Sequence, residues 1–306
     1  MKAEPISSCR AGRAAGCADV WCRLEAYLEL TKPRVVALIL LTTLVGFYLG
    51  SDGVLDLLRL THTLIGTALA AAGSLALNQY WERESDALMV RTRTRPLPSN
   101  RLPPAAARDF GSFLAGGGIV YLGLAVSVSA CLITALTLAS YLFLYTPLKR
   151  RTPLCTLVGA VPGALPPVTG WVAARGDFSL PAGILFAILF LWQLPHSLAI
   201  AQLYRSDYAR AGFRLLPVVD KDGRSTARQV VTYSLALVTV ALFPTLVGVA
   251  GSPYFVAALL LGAGLLVFSI LLARQSTVEA ARHLVWASLV YLPILLLVLA
   301  LDRRTA

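Results

Sequence analysis

The chain has 306 residues, 57% of them apolar and 14% charged, with 27 Lys and Arg against 16 Asp and Glu for a formal net charge of +11. A soluble domain is about 45–50% apolar and about 25% charged, so this composition excludes a soluble enzyme, a disordered chain and a disulfide-knit secreted domain. What fits is an all-α, polytopic membrane protein, because closed helices satisfy their own backbone groups in lipid.

In chain order, residues 1–34 are expected to form a cytoplasmic segment. Glu4, Asp19, Glu25 and Glu29 interrupt it, so it does not read as a signal peptide. Nine transmembrane helices are expected at 35–51, 60–80, 108–127, 128–146, 155–173, 180–203, 228–250, 254–273 and 283–301, forming one bundle over 35–301 with a tail at 302–306. Cys9, Cys17, Cys22, Cys131 and Cys155 show no metal-ligand spacing and read as free thiols without an assigned role.

The basic residues lie in short runs between apolar stretches, which argues for topology and against nucleic acid as a partner. With the N-terminus cytoplasmic, that side receives six in 1–34, six in 81–108, three in 147–154, six in 204–228 and two in 274–283. The other side receives Arg59, Arg175, Arg303 and Arg304. The split of 23 to four out of 27 predicts a cytoplasmic N-terminus, an outer C-terminus and cytoplasmic polar loops in the cell inner (plasma) membrane.

Asn78, Glu82 and Asp86 close the second span at four-residue spacing, within roughly 80° of arc on one helix face. The column reads either as a solvated helix end or as oxygen ligands for a hard cation. Mg²⁺ typically takes one or two carboxylates together with substrate phosphates. Arg91 and Arg95 follow in Arg91-Thr92-Arg93-Thr94-Arg95-Pro96. They read as topogenic charge or as bidentate partners of phosphate.

The sixth span carries Trp192, Pro195 and His196 and continues to Tyr204, Asp207 and Tyr208. His196 and Asp207 are eleven apart, which on one continuous helix returns to within roughly 20° at about 16 Å separation. An ionisable residue inside a span suggests function, although a lone His is often structural. The loop from Arg210 to Pro217 can fold over a site. Lys149-Arg150-Arg151, Lys32 and Arg34 carry the same double reading of inside charge or attraction for an anion.

Asn78-x-x-x-Glu82-x-x-x-Asp86 resembles the Asn-x-x-x-Asp-x-x-x-Asp motif of intramembrane prenyltransferases of the ubiquinone-biosynthesis type, with Glu82 in place of the usual Asp. Further stretches resemble the protoheme IX farnesyltransferase (haem O synthase) branch of that superfamily. They are Thr31-Lys32-Pro33-Arg34, Arg91-Thr92-x-x-Arg95-Pro96, Tyr145-Thr146 leading to Lys149-Arg150-Arg151-Thr152-Pro153, Trp192-x-x-Pro195-His196, and Asp207-Tyr208-x-x-Ala211-Gly212. Around His196, Leu194, Ser197 and Leu198 depart from that pattern.

The resemblance implies Mg²⁺ on Asn78, Glu82, Asp86 and Asp207, which are then the catalytic residues. It implies farnesyl diphosphate and haem b as substrates in the bilayer, and a haem A synthase as a partner. Arg91, Arg95, Lys149, Lys32 and Arg34 are then candidate diphosphate contacts, and His196 and Tyr204 candidate substrate contacts. The rival readings are a prenyltransferase acting on a quinone-type ring, a transporter and a haem-handling protein. A transporter needs access from both faces, whereas these acids cluster at one.

Overall fold

A computed structural model describes residues 15–304, with side chains from Val20 onward; the described residues are helical, apart from turns and one isolated bridge between Ala250 and Arg303. In chain order the elements are α1 (Ala15–Thr31), α2 (Pro33–Gly50), α3 (Leu57–Leu88), α4 (Pro104–Ala125), α5 (Val128–Leu148) and α6 (Cys155–Arg175). They continue as α7 (Leu180–Leu203), α8 (Arg205–Arg210), α9 (Leu216–Val219), α10 (Arg224–Leu246), α11 (Ser252–Gln275) and α12 (Val278–Leu301).

Eight of these helices are long and apolar enough to cross a membrane. The span expected at 108–127 is α4, 22 residues long. Arg108, Asp109 and five glycines leave it less apolar than the rest. Local chemistry sets the starts: Asp56, Ser127 and Thr277 each accept a hydrogen bond from a backbone N–H three residues on, at the heads of α3, α5 and α12. Pro33 opens α2 directly after Lys32, which sits at φ 49° and turns the chain between α1 and α2.

Successive helices run up and down, so their connections collect at two ends. At one end Arg303 donates to the carbonyls of Tyr48 and Ser51, and Arg175 pairs with Asp52 at 3.0 Å. At the other lie Lys32, the 89–103 loop, Lys149 to Leu154, α8 and Ser276. α3 extends well past the expected end of its span, to Leu88, so the whole acidic column is helical.

Two expectations need correction. No helix is expected in the 1–34 segment, whereas α1 lies within it and buries Ala26 and Leu30 against Ala76, Leu97, Leu102 and Ala107. Arg23, Glu25 and Glu29 among its outer positions break up its apolar pattern. Cys22 is disulfide-bonded rather than a free thiol, because a disulfide needs only two sulfurs brought together by the fold. Cys131 and Cys155 are free, and Cys9 and the Cys17 side chain lie outside the described residues.

Small residues let the helices that carry the site approach closely. A Cβ on Gly170 of α6 would lie 1.9 Å from the Thr43 carbonyl oxygen of α2, whereas Gly116 on α4 faces open space. Gly170→Val is therefore expected to lower the melting temperature of the purified protein or abolish its recovery, through overpacking of about 1–3 kcal/mol or more. Gly116→Ala is expected to be neutral or stabilising by about 0.5–1 kcal/mol. Equal effects of the two would contradict this packing.

Candidate active site

Asn78, Glu82 and Asp86 are all buried on one face of α3, and Asp86 is 1% exposed. Charge at such depth needs a partner, and each polar head has one. Asn78 Nδ2 donates to Thr146 Oγ1 at 3.2 Å, and Lys149 Nζ donates to Glu82 Oε1 at 2.7 Å. Arg95 donates to Asp86 Oδ2 at 2.7 Å, while Asp86 Oδ1 is buried without a hydrogen-bond partner. The end of α5 delivers Thr146 and Lys149, and the 89–103 turns deliver Arg95. A π-helical turn at Ser140–Tyr145 shifts the register, so that Thr146 Oγ1 bonds back to the Tyr141 carbonyl. Tyr145 then lies under Lys149, whose Nζ is 4.4 Å from the ring centroid.

Asp207 comes from the other side. It is buried on α8, accepts from the backbone N–H of Val90 and Arg91 at 3.4 Å each, and pairs with Arg210. The turn joining the two acidic segments begins only a few residues after Asp86, with Thr92 Oγ1 donating to the Asp86 carbonyl at 2.8 Å. Asp86 and Asp207 thus sit at the same end of the bundle, on either side of one short turn. Arg91 lies over the Tyr204 ring at 4.8 Å and donates to the Tyr208 hydroxyl at 3.3 Å. The 210–217 loop folds back onto α5, where Arg214 N–H donates to the Lys149 carbonyl at 2.7 Å.

Lys32 completes the ring of cations. Burial pushes its ammonium down to about 7, and the positive charges of Arg95 and Lys149 add to this against Glu82 and Asp86. For Lys149 burial also acts against the charge, but Glu82 and the tyrosines outweigh it and its pKa is raised. Arg34 is exposed on α2 and has no ion pair among the described residues. Arg150, which donates to Ser85 Oγ, and Arg210 belong to the same cluster. Sequence reading assigned no role to Thr146, Tyr208 or Arg210. Thr146 and Tyr208 stand within stretches that carry the resemblance, and Arg210 lies three residues from Asp207 on one short helix.

His196 does not join the acids. α7 ends at Leu203, because Tyr204 leaves the helical region at φ −113°, ψ 28°. The continuous helix that would place His196 and Asp207 on one face is therefore broken. His196 stacks on Trp192 (centroids 4.9 Å apart, planes 14° apart), and its Nδ1 lies 2.7 Å from Ser288 Oγ of α12. That hydroxyl donates its one proton to the Val285 carbonyl at 2.7 Å, so His196 Nδ1–H is the donor to Ser288. A neutral ring held this way keeps its lone pair on Nε2.

The donors suit a hard cation: carboxylate and amide oxygens, one of them buried and unpartnered. Among the described residues no three His, Cys, Asp or Glu side chains stand close enough to hold one ion. The acids are closed onto cations instead. This agrees with a metal that takes one or two carboxylates and completes its shell from phosphate.

The Glu82–Lys149 pair is testable on its own. Removing one partner of a buried pair costs about 3–5 kcal/mol, because the other charge is left uncompensated. Lys149→Met is expected to lower thermal stability by about that amount, and adding Glu82→Gln to recover most of it. Additive losses in the double variant would contradict the pairing.

Residues 39–299 match the UbiA prenyltransferase family. The chain is 51% identical over 289 residues to the protoheme IX farnesyltransferase of Solibacter usitatus (strain Ellin6076), covering 92% of this chain and 99% of that one. It is 45% identical to that of Koribacter versatilis (strain Ellin345), covering 92% and 94%. Among solved structures, one concerned with digeranylgeranylglyceryl phosphate synthase superposes with a TM-score of 0.77 at 20% identity, over 92% of this chain and 98% of that one. The Archaeoglobus fulgidus UbiA homologue bound to GPP and Mg²⁺ gives 0.66 at 16% identity, over 90% and 99%. The helical bundle is therefore the fold seen in those structures, and the chain is a member of the UbiA prenyltransferase family.

Proposed function

We propose that this protein transfers the farnesyl group of farnesyl diphosphate to a vinyl group of haem b, releasing diphosphate and making haem O. The observation that carries prenyl transfer is Asp86: buried, one oxygen on Arg95, the other free, within a ring of cations at one end of an apolar bundle. The choice of acceptor rests on the relatives at 51% and 45% identity.

In this reading Asn78, Glu82, Asp86 and Asp207 would hold Mg²⁺ together with diphosphate oxygens once Lys149, Arg95 and Arg210 turn to the phosphates, since as they stand no three of the acids are close enough to hold one ion. When bound, the metal neutralises charge on the departing diphosphate as a Lewis acid. Arg91, Arg95, Lys149 and Lys32 bind the phosphate oxygens, with Arg34 at the mouth, and stabilise the charge that develops as the allylic C–O bond breaks. The apolar helices hold the prenyl chain, each buried CH₂ contributing about 0.8 kcal/mol, and exclude water from the farnesyl cation. The vinyl carbon of haem b forms the new C–C bond. The cation left on the neighbouring vinyl carbon takes up water and loses a proton, giving the hydroxyethylfarnesyl group.

His196 and Trp192 form a flat aromatic pair suited to lie beside the porphyrin, and Tyr204 holds Arg91 in place. In this reading the 1–34 segment and the loops bearing the site face the cytoplasm from the inner membrane, which their basic charge supports. A haem A synthase is the natural consumer of the product.

Purified protein incubated with haem b, farnesyl diphosphate and Mg²⁺ is expected to yield a porphyrin heavier by one farnesyl group and one hydroxyl group, read by mass spectrometry. Transfer to a quinone-type ring in preference to haem would overturn the acceptor. Asp86→Asn and Asp207→Asn are each expected to reduce turnover by at least a hundredfold while the protein still inserts and purifies. Near-normal product from either would remove the metal assignment.

Lys32 adds a pH signature. With its pKa near 7, Lys32 is largely neutral at pH 8 in the free protein, and a diphosphate beside it favours the charged form. Pyrophosphate binding at pH 8 should therefore take up close to one proton, visible as a dependence of the binding heat on the buffer's ionisation enthalpy. Lys32→Met should reduce that dependence to the part that the pyrophosphate's own ionisation supplies. No such dependence in the wild type would place Lys32 away from the phosphates.

A further inference from the structure

A second polar pocket lies at the same end of the bundle as Asp207, where α7, α10 and α11 end. Its volume is about 110 Å³, and Gln202, Arg205, Lys221, Asp222, Val230 and Leu272 are among its lining residues. A pocket for a whole small ligand is typically about 300–1,000 Å³, so neither a porphyrin nor a farnesyl chain fits inside. One phosphate-sized head does.

The charges in this pocket are unevenly satisfied. Asp220, beside it, accepts from Thr226 N–H at 2.7 Å and from Thr226 Oγ1 at 2.8 Å. Asp222 faces Arg224 at 3.8 Å, both of them exposed. The cations are less engaged. Arg205 spends one donor on the Asp220 carbonyl at 3.2 Å, out of the five a guanidinium has. Lys221 is exposed and has no ion pair among the described residues. The floor is apolar, built from Val230 and Leu272, which belong to membrane-crossing helices. With Asp220 held by Thr226 and Asp222 facing Arg224, the donors of Arg205 and Lys221 are left open at the level where three spans end, which matches an amphiphile with an anionic head. Basic pockets between helices at a membrane surface recognise lipid headgroups in this way.

We propose that this pocket binds the headgroup of an anionic phospholipid, its phosphate between Arg205 and Lys221 at the level where the spans end. Arg205 opens α8, two residues before Asp207, and already ties that helix to the 220–223 turn. A bound headgroup therefore holds α8, and with it Asp207 and Arg210, in position.

The test is native mass spectrometry of the full-length protein in mixed micelles carrying phosphatidylglycerol or phosphatidylcholine, with inorganic phosphate alone as a third arm. Wild type should retain phosphatidylglycerol over phosphatidylcholine. Lys221→Gln, at an exposed position, should weaken phosphatidylglycerol about fivefold, and the Arg205→Gln/Lys221→Gln pair on the order of thirtyfold, at about one charge's surface attraction each. Pyrophosphate binding at the first site, measured alongside, should be retained by Lys221→Gln and shows that the variant is folded. Equal retention of the two lipids, or phosphatidylglycerol binding unchanged in the folded Lys221→Gln variant, would overturn the proposal. Competition by inorganic phosphate as strong as by the lipid would overturn the lipid as occupant in favour of a free anion.

Discussion

Burying carboxylates at the end of an apolar bundle is permitted only if each is matched by positive charge. Glu82 on Lys149, Asp86 on Arg95 and Asp207 on Arg210 meet that requirement, and much of this end of the molecule is arranged to supply it. α5 changes register through a π-helical turn to bring Lys149 to Glu82. The 89–103 turns bring Arg95 back onto Asp86, and α8 breaks from α7 so that Asp207 meets the backbone of Val90 and Arg91. Lys32, at the left-handed turn between α1 and α2, has no ion pair among the described residues, and its charge is correspondingly weak near neutral pH.

The same pairing explains how a site can be both stable and receptive. A set of bare acids in this setting would repel one another and resist folding. Closed onto arginine and lysine, they are stored at low cost until an anion arrives that can take over the cations. Phosphate is suited to that exchange because Arg forks onto it as well as onto a carboxylate. In the proposed function, cations that move to phosphate would release the carboxylates to a divalent ion, so that each component of the substrate complex would make room for the other.

Much of this could be read from the amino-acid order, because the relevant signals are local. Membrane-crossing length, four-residue spacing of Asn78, Glu82 and Asp86, and the lopsided distribution of Lys and Arg are all properties of neighbouring residues. What escaped was either long-range or carried by backbone alone. The Lys149–Glu82 pair spans 67 positions. The end of α7 at Tyr204 has no Gly or Pro to mark it, so a helix continuing from His196 to Asp207 was the natural expectation. α1 was missed because its buried stripe, Ala26 and Leu30, is too narrow to stand out between Glu25 and Glu29. The partnership of His196 with Ser288 depends on how α7 and α12 pack, which no spacing within α7 announces.

The exchange of partners at the acids is tested most directly by calorimetric titration of Mg²⁺ into the purified protein, with and without saturating pyrophosphate. If the carboxylates are held by Lys149, Arg95 and Arg210 until phosphate draws those cations away, Mg²⁺ should bind at least tenfold more tightly when pyrophosphate is present. The gain should shrink in the Arg95→Gln variant. Equal Mg²⁺ affinity in the two conditions would show that the acids are free to coordinate from the outset, and would contradict the account.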